Sequence, residues 1–211
     1  MIGVSAMLLH YTPIWIVADA ARTCTDTIAF SDDNMEDVLG PRDHALIKRI
    51  CCKHAKRFDP NHDSILEHLN YTFHLDFSRA CLQELARHRH ASISVQSTRY
   101  ALHKAIDGEA AHCVYDSGHE DVNDMAALSV SFVSTMKNLK VPNDVAKYAI
   151  PEALMTEAIW TINARSLRNF FELRTVPRAL DEIQKLAFRI YDEIPEGHKF
   201  LFEDFVYNGE E

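Results

Sequence analysis

The sequence has little glycine, no cysteine pairs at metal-binding spacing and no long apolar run. Its six glycines form no GxGxxG motif, so the phosphate-binding fingerprint of a Rossmann fold is absent. Its five cysteines lack CxxC spacing, which favours reduced thiols over disulfides or a cysteine-based zinc site. No run approaches the roughly 20 apolar residues of a membrane span, and no signal peptide is recognisable. We therefore expect a cytoplasmic protein without a membrane partner.

Positive charge is also scarce in this chain. The 22 lysines and arginines face 31 acidic residues, which gives a net charge of -9. A general nucleic-acid partner is disfavoured, because such binding depends on a broad basic surface. The 47% hydrophobic content is ordinary for a globular protein and supports one core. We expect a single domain over residues 1–211, in which any anion site is local.

One short segment concentrates the positive charge. The segment from Arg87 to Tyr100 contains three arginines and two histidines. Arginine forks grip phosphates in a two-pronged fashion. A solvated surface is the alternative, but Ile93 and Val95 alternate with serines like a half-buried strand. The pattern favours an anion site between core elements. A helix is predicted to run to about His90, and in a helix positions 87 and 89 lie about 200° apart and cannot both face one pocket. Two pockets or two chains would resolve this.

Hydrophobic periodicity predicts a mixture of helices and strands. Residues 69–77 alternate apolar and polar side chains, which is typical of a half-buried strand. Residues 93–102 are expected to be extended, and residues 154–162 fit either a strand or a helix. Helices are predicted over residues 13–22, 41–58, 78–90, 121–139, 144–149 and 177–194, from residue 164 onward, and in the tail over 198–207.

The basic segment also resembles a known family. Arg87-His88-Arg89, seven further residues, then Ser97 and Arg99-Tyr100 resemble the signature of the flavin-dependent thymidylate synthases, which are distinct from the synthases that use a cysteine nucleophile. The resemblance spans roughly residues 10–205. It rests further on His62, Ser64, Glu67-His68, Asn163-Ala164-Arg165-Ser166-Leu167, Asn169 and Leu173-Arg174.

This resemblance implies a fold and an activity. The implied fold is α+β, with a mixed or antiparallel sheet flanked by helices, assembled as a homotetramer with active sites at subunit interfaces. The implied reaction is the reductive methylation of dUMP to dTMP. In it, 5,10-methylenetetrahydrofolate supplies the carbon, and FAD reduced by NADPH supplies the hydride.

The resemblance also assigns roles to individual residues. The implied FAD-binding residues are His62, Ser64, Arg87, His88, Arg89, Asn163, Arg165 and Asn169. The implied dUMP-binding residues are Glu84, Arg87, Val95, Ser97, Thr98, Arg99, Lys147 and Arg174. Arg174 is expected to be catalytic by donating to the uracil ring and stabilising its negative charge. Ser97 is assigned to substrate binding, since a serine nucleophile needs a general base that the sequence does not identify.

Arg174 also has a structural interpretation. It shares a helical stripe with Leu167, Phe170 and Phe171, so its guanidinium is expected near the core, where a charge needs a partner. Pairing with Glu172 or Asp181, or capping of the helix C-terminus, would satisfy it.

Three positions depart from the family pattern, and they leave alternatives open. Glu84 stands where the family usually has glutamine, and Val95 stands where it usually has glutamate or glutamine. Lys147 replaces the usual arginine. A flavoprotein with another substrate remains an alternative, as does a small nucleotide- or RNA-binding module that stacks bases on Tyr100. No metal site is predicted: among His62, His68, His74, His88 and His90, no pair has i, i+4 spacing with a nearby third ligand.

Overall fold

Four strands form one antiparallel sheet in the computed structural model, which describes residues 2–24, 37–51, 62–106 and 110–209. The strands are β1 (Ser5–Tyr11), β2 (Asn70–Ser78), β3 (Ala91–Val95) and β4 (Met155–Asn163). Their order across the sheet is β1-β2-β4-β3, so β2 and β4 are the central strands. The predicted mixture of sheet and helices is confirmed.

Eight α-helices lie within the described residues. They are α1 (Trp15–Thr23), α2 (Pro41–Cys51), α3 (Arg79–Leu85), α4 (Thr98–Ala105), α5 (Glu120–Asn138), α6 (Asn143–Ala146), α7 (Ala164–Arg174) and α8 (Asp181–Asp192). Short 3₁₀ helices cover Asp63–His68, Ala110–Cys113, Lys147–Ala149, Glu196–Leu201 and Glu203–Phe205. No helix within these described ranges is both long and apolar enough to cross a membrane.

The two central strands bury one face and leave the other open. In β2, Tyr71, Phe73, Leu75 and Phe77 are fully buried, while the residues between them are half-buried. In β4, the even-numbered positions from 156 to 162 are buried and the odd-numbered ones are partly or fully exposed. Side chains alternate between the faces of a strand, so the sequence pattern becomes a two-faced sheet. The strand prediction over 69–77 is confirmed, and residues 154–162 form a strand.

The chain divides into two compact units. The first contains residues 1–6, 74–87 and 93–160, and the second contains residues 7–73, 88–92 and 161–211. An apolar cluster in the first unit joins α4, α5 and α6 through Leu102, Val130, Val133 and Ala146. In the second unit, Phe170 and Phe171 of α7 lie in an aromatic core with Phe202. A single domain over residues 1–211 remains a prediction.

Two predicted elements around the basic segment are wrong in part. The helix predicted over 78–90 ends at Leu85, and strand β3 begins at Ala91 with alternate side chains half-buried. The extended segment predicted over 93–102 ends at Val95, and α4 follows. The carbonyl of Ser97 accepts from the amides of Tyr100 and Ala101 and so begins that helix. The segment therefore lies at a helix-to-strand junction, as predicted, with a second helix after it.

The other helix boundaries mostly follow the pattern. Helices predicted over 13–22 and 121–139 and from residue 164 correspond to α1, α5 and α7. The helix predicted from residue 177 begins later, at Asp181, and the tail forms 3₁₀ turns. Of the helix predicted over 41–58, residues 52–58 lie outside the described residues. Strand β1 was not predicted.

A buried hydrogen-bonded chain holds part of the second unit together. His198 is fully buried, and its Nδ1 lies 2.8 Å from the Tyr71 hydroxyl oxygen. Its Nε2 lies 3.0 Å from an Asp37 carboxylate oxygen. A carboxylate only accepts, so Nε2 carries the proton and Nδ1 accepts from the tyrosine. Burial lowers the pKa of His198 below its ordinary value of 6.5 and outweighs the opposing effect of Asp37.

The lowered pKa of His198 predicts acid-sensitive stability. As the pH falls below about 6.5, the unfolded chain binds a proton at this residue that the folded chain does not bind. The stability is therefore complete above that pH and falls as the pH approaches the folded pKa. We expect His198→Gln to remove this part of the pH dependence. It should also cost about 1–3 kcal/mol by leaving Tyr71 or Asp37 poorly paired.

Urea denaturation between about pH 5.5 and 7.5 measures both effects. The matched control is His119→Gln, which replaces an exposed histidine at the start of α5 and should keep the wild-type pH dependence. Equal pH slopes for the wild type and His198→Gln would contradict the prediction.

Candidate functional site

The residues Arg87, His88 and Arg89 lie in the turn between α3 and β3. Arg87 and Arg89 are exposed, whereas His88 is half-buried. Because α3 has already ended, the helical angle of about 200° between positions 87 and 89 does not apply, and that argument for two pockets is wrong. Backbone outside a helix lets neighbouring side chains take independent directions. The turn thus exposes two arginines on either side of an anchored histidine.

Helix α7 anchors this histidine. The ring of His88 packs edge-on against Phe170, with 4.9 Å between ring centroids. One helical turn later, the Nε of Arg174 donates to the Nε2 of His88 at 3.0 Å. Leu167, Phe170 and Phe171 are fully buried, as the stripe predicts, and Arg174 lies half-buried at the end of that stripe. The contact between His88 and Arg174 was not predicted from the sequence.

This contact defines the protonation state of His88. An arginine guanidinium only donates, so the Nε2 of His88 must accept through its lone pair. The imidazole is then neutral, with its proton on Nδ1. A neutral partner orients the Arg174 guanidinium through one N–H and adds no negative charge of its own.

The start of α7 presents several of the expected cofactor-binding residues. The Oδ1 of Asn163 accepts from the amide of Ser166 at 2.9 Å and caps the helix. Arg165 and Asn169 lie one turn apart and are both exposed, as their spacing predicts. The Nη1 of Arg165 lies 2.6 Å from the Oε1 of Glu67, in the 3₁₀ helix Asp63–His68.

That 3₁₀ helix brings two further expected residues to the same region. Ser64 lies within it and His62 directly precedes it, and both side chains are exposed. Glu67, at its other end, links it to α7 through Arg165. The second unit thus collects hydroxyl, imidazole, guanidinium and amide groups around the start of α7.

The first unit holds most of the residues expected to bind dUMP. Arg99 of α4 makes a two-pronged ion pair with Asp144 of α6, at 2.7 and 3.2 Å. The side-chain amide of Asn143 donates to the backbone carbonyl of Arg99 at 2.9 Å. Lys147 begins the 3₁₀ helix that directly follows α6. The pair between Arg99 and Asp144 therefore brings α4 next to the segment that carries Lys147.

The beginning of α4 supplies backbone donors beside Arg99. Thr98 is the first residue of this helix, and Ser97 is exposed directly before it. The first N–H groups of a helix have no intrahelical acceptor and favour anions. Ser97, Thr98 and Arg99, which are expected to bind dUMP, thus lie at a helix N-terminus.

The unusual residues Glu84 and Val95 occupy defined positions. The carboxylate of Glu84 lies 3.8 Å from the Nη1 of Arg87, one helical turn away. A neighbouring cation limits the repulsion that Glu84 would exert on a phosphate. Val95 ends strand β3 and is half-buried. Its side chain serves packing and offers no polar group to a ligand.

Apart from Arg87, which belongs to both sets, and Arg174, the residues expected to bind dUMP lie in the first unit and those expected to bind FAD lie in the second. The first unit contains Glu84, Arg87, Val95, Ser97, Thr98, Arg99 and Lys147. The second unit contains His62, Ser64, His88, Arg89, Asn163, Arg165, Asn169 and Arg174. Sequence reasoning missed Asp144, Asn143 and Phe170, since only the folded chain shows which side chains they contact.

Comparisons with known proteins agree over nearly the whole chain. The family model for thymidylate synthase complementing proteins matches residues 7–198. A flavin-dependent thymidylate synthase of Campylobacter jejuni (strain RM1221) is 41% identical over 207 residues, which cover 93% of this chain and 94% of that protein. The enzyme of the same description from Wolinella succinogenes is 40% identical, with 92% and 95% covered.

A solved structure is similar as well. The crystal structure of thymidylate synthase X from Helicobacter pylori, determined with FAD and dUMP, superposes with a TM-score of 0.84 at 36% sequence identity. The match covers 97% of this chain and 100% of that chain.

The ion pair between Arg99 and Asp144 predicts competition with an anionic ligand. Asp144 occupies the donor edge of Arg99 that would bind a phosphate, so Asp144→Asn should tighten the binding of dUMP. Both side chains are more than half exposed, so we expect a gain of only about two- to fivefold. Isothermal titration calorimetry measures the affinity. Asp124→Asn, an equal charge change at an exposed position of α5, should leave it unchanged. Weaker dUMP binding by Asp144→Asn would contradict the prediction.

Proposed function

Because this chain belongs to the family of flavin-dependent thymidylate synthases, we propose that it converts dUMP to dTMP with FAD as cofactor. The observation that carries the proposal is the contact between His88 and Arg174. It joins the basic signature to the helix that bears the expected catalytic arginine.

The residues of the second unit suit a flavin dinucleotide. Arg89 and Arg165 are exposed cations, and such forks match the geometry of a pyrophosphate. Asn169 is exposed on the same helix face as Arg165, and the capping of α7 by Asn163 uses only its carbonyl oxygen. The side-chain NH₂ group of Asn163 can still donate to a ligand. Side chains can thus hold FAD without a glycine-rich loop.

The residues of the first unit suit the phosphate of dUMP. Arg99, the hydroxyls of Ser97 and Thr98, and the amides at the start of α4 offer convergent donors. Lys147 adds charge without the fork geometry of the usual arginine. Arg87 can also bind the phosphate if it gives up its ion pair with Glu84.

Arg174 is the proposed catalytic residue. Its Nε donates to His88, and we propose that its guanidinium donates to a carbonyl of the uracil ring when dUMP is bound. A positive charge there stabilises negative charge on the ring and makes the carbon to be methylated more nucleophilic. His88 is the proposed positioning residue for this group, in addition to its proposed contact with FAD.

FAD, when bound and reduced, supplies the hydride that completes the new methyl group. We propose that NADPH reduces it and that 5,10-methylenetetrahydrofolate donates the carbon. The chain itself binds and orients the reactants and places charge beside them. We further propose a homotetramer whose active sites lie at subunit interfaces.

A first test is the colour and turnover of the purified protein. Bound flavin should give an absorbance band near about 450 nm. In the presence of NADPH and methylenetetrahydrofolate, tritium should be released from C5 of labelled dUMP, and dTMP should form. A protein that cannot be reconstituted with FAD, or one that holds FAD but releases no tritium, would overturn the proposed function.

A second test separates the roles of Arg174 and His88. Arg174→Lys should lower kcat by about 10²–10³ because it removes donors aimed at developing charge. His88→Phe keeps the ring packing on Phe170 but removes the acceptor, and it should lower kcat by about tenfold with a smaller change in KM for dUMP. His88→Gln restores an acceptor and should recover most of that loss.

The control for this test is Arg178→Lys, an exposed arginine just after α7, which should behave as the wild type. Wild-type kcat in His88→Phe would show that His88 does not position Arg174. Wild-type kcat in Arg174→Lys would reject the catalytic role of Arg174.

A further inference from the structure

The open face of the two central strands carries a cluster of three potential metal ligands. We propose that His74, Asp76 and Glu157 bind one divalent first-row transition-metal ion, which clamps β2 to β4. None of the three belongs to the residues assigned to FAD or dUMP. The inference therefore goes beyond the proposed thymidylate synthase activity and does not depend on it.

The register of β2 against β4 brings these side chains together. The amide of Arg79, just after β2, donates to the carbonyl of Leu154, just before β4, at 3.0 Å. Counting back from that bond along the antiparallel pair places Asp76 directly opposite Glu157. His74 lies two residues before Asp76 and so shares its face. One ligand atom from each side chain can be chosen such that all three lie within 4.8 Å of one another.

The distances already approach those of a metal site. The Nε2 of His74 lies 3.3 Å from the Oε2 of Glu157. With metal–ligand bonds of about 2.0–2.2 Å, neighbouring ligand atoms in a tetrahedral site lie about 3.3–3.6 Å apart. The histidine and glutamate therefore need little movement, and a rotation of the Asp76 side chain completes the set.

Electrostatics supply the reason for a cation. Carboxylates directly opposite each other on neighbouring strands destabilise a sheet. In the described part of the chain, neither Asp76 nor Glu157 pairs with a lysine or an arginine. A bound divalent ion would replace this repulsion with attraction to both carboxylates. The net charge of -9 favours uptake of a cation further.

Neutral hydrogen-bond donors orient both carboxylates. The hydroxyl of Ser5 donates to the Oδ2 of Asp76 at 2.5 Å, and the side-chain amide of Gln96 donates to the Oε1 of Glu157 at 3.2 Å. Each bond fixes one oxygen without neutralising its charge. Metal sites commonly use such outer donors to aim their ligands. The four side chains around His74 thus form an organised set.

The donor types indicate the class of metal. One imidazole nitrogen and two carboxylate oxygens suit Zn²⁺, Fe²⁺ or Mn²⁺, whereas Mg²⁺ and Ca²⁺ favour oxygen alone. His74 and Glu157 are 30% and 52% exposed, so an ion can reach them from solvent. Histidine pairs at i, i+4 spacing do not describe this set, because His74 and Asp76 follow the two-residue period of a strand and Glu157 comes from a second strand.

Titration of the purified protein with Zn²⁺ tests the proposal. We expect one Zn²⁺ per chain to bind by calorimetry and to raise the thermal midpoint of unfolding. His74→Ala should weaken this binding by at least about tenfold. Asp76→Asn should remove the rise in midpoint with Zn²⁺, while in metal-free buffer its midpoint should equal or exceed that of the wild type.

The comparison of Asp76→Asn with and without Zn²⁺ separates the loss of a metal ligand from a loss of stability. His119→Gln is the matched control, because the exposed His119 is followed by Glu120 and Asp121 and lies outside the cluster. It should retain wild-type binding. Zn²⁺ binding that is absent from the wild type, unchanged in His74→Ala, or matched by an equal affinity for Mg²⁺ would overturn the proposal.

Discussion

The pair of central strands, buried on one face and open on the other, is the constraint on which the rest of the structure depends. A shift of one residue in β2 would expose Tyr71, Phe73 and Leu75 and bury His74 and Asp76. Both strands end in side chains that begin helices. The Oγ of Ser78 accepts from the amide of Cys81 to begin α3, and the Oδ1 of Asn163 begins α7 in the same manner. Each strand thus positions the start of the helix that follows it.

Three of the arginines expected to bind anions already form ion pairs with carboxylates of the same chain. Arg99 pairs with Asp144, Arg165 with Glu67 and Arg87 with Glu84. Pairs at such exposed positions are each worth little, about 0–1 kcal/mol, so a nucleotide phosphate can replace the carboxylate. The buried Arg168 differs, since its bonds to the carbonyls of Cys51 and Leu201 serve the fold. Under the proposed function, ligand binding at these arginines is therefore an exchange of partners.

The family signature acquires a physical meaning in the fold. In the sequence, Arg-His-Arg is a run of three basic side chains. In the structure, the two arginines are exposed, whereas His88 is half-buried and accepts a hydrogen bond. His88 is held between Phe170 and Arg174, so the middle residue of the run acts as a neutral group. Asp144, which the sequence analysis did not single out, pairs with Arg99, and Glu67, to which the resemblance gave no role, pairs with Arg165.

The sequence by itself determined the features that depend on near neighbours. Strand β2 and helices α1, α5 and α7 follow from periods of two or of three to four residues. Only the tertiary structure decided the partners of the functional groups. The contacts from Arg99 to Asp144, from Arg174 to His88 and from Arg165 to Glu67 join residues 45, 86 and 98 positions apart. Such contacts arise when packing of the sheet and helices brings distant segments together, and local periodicity carries no record of them.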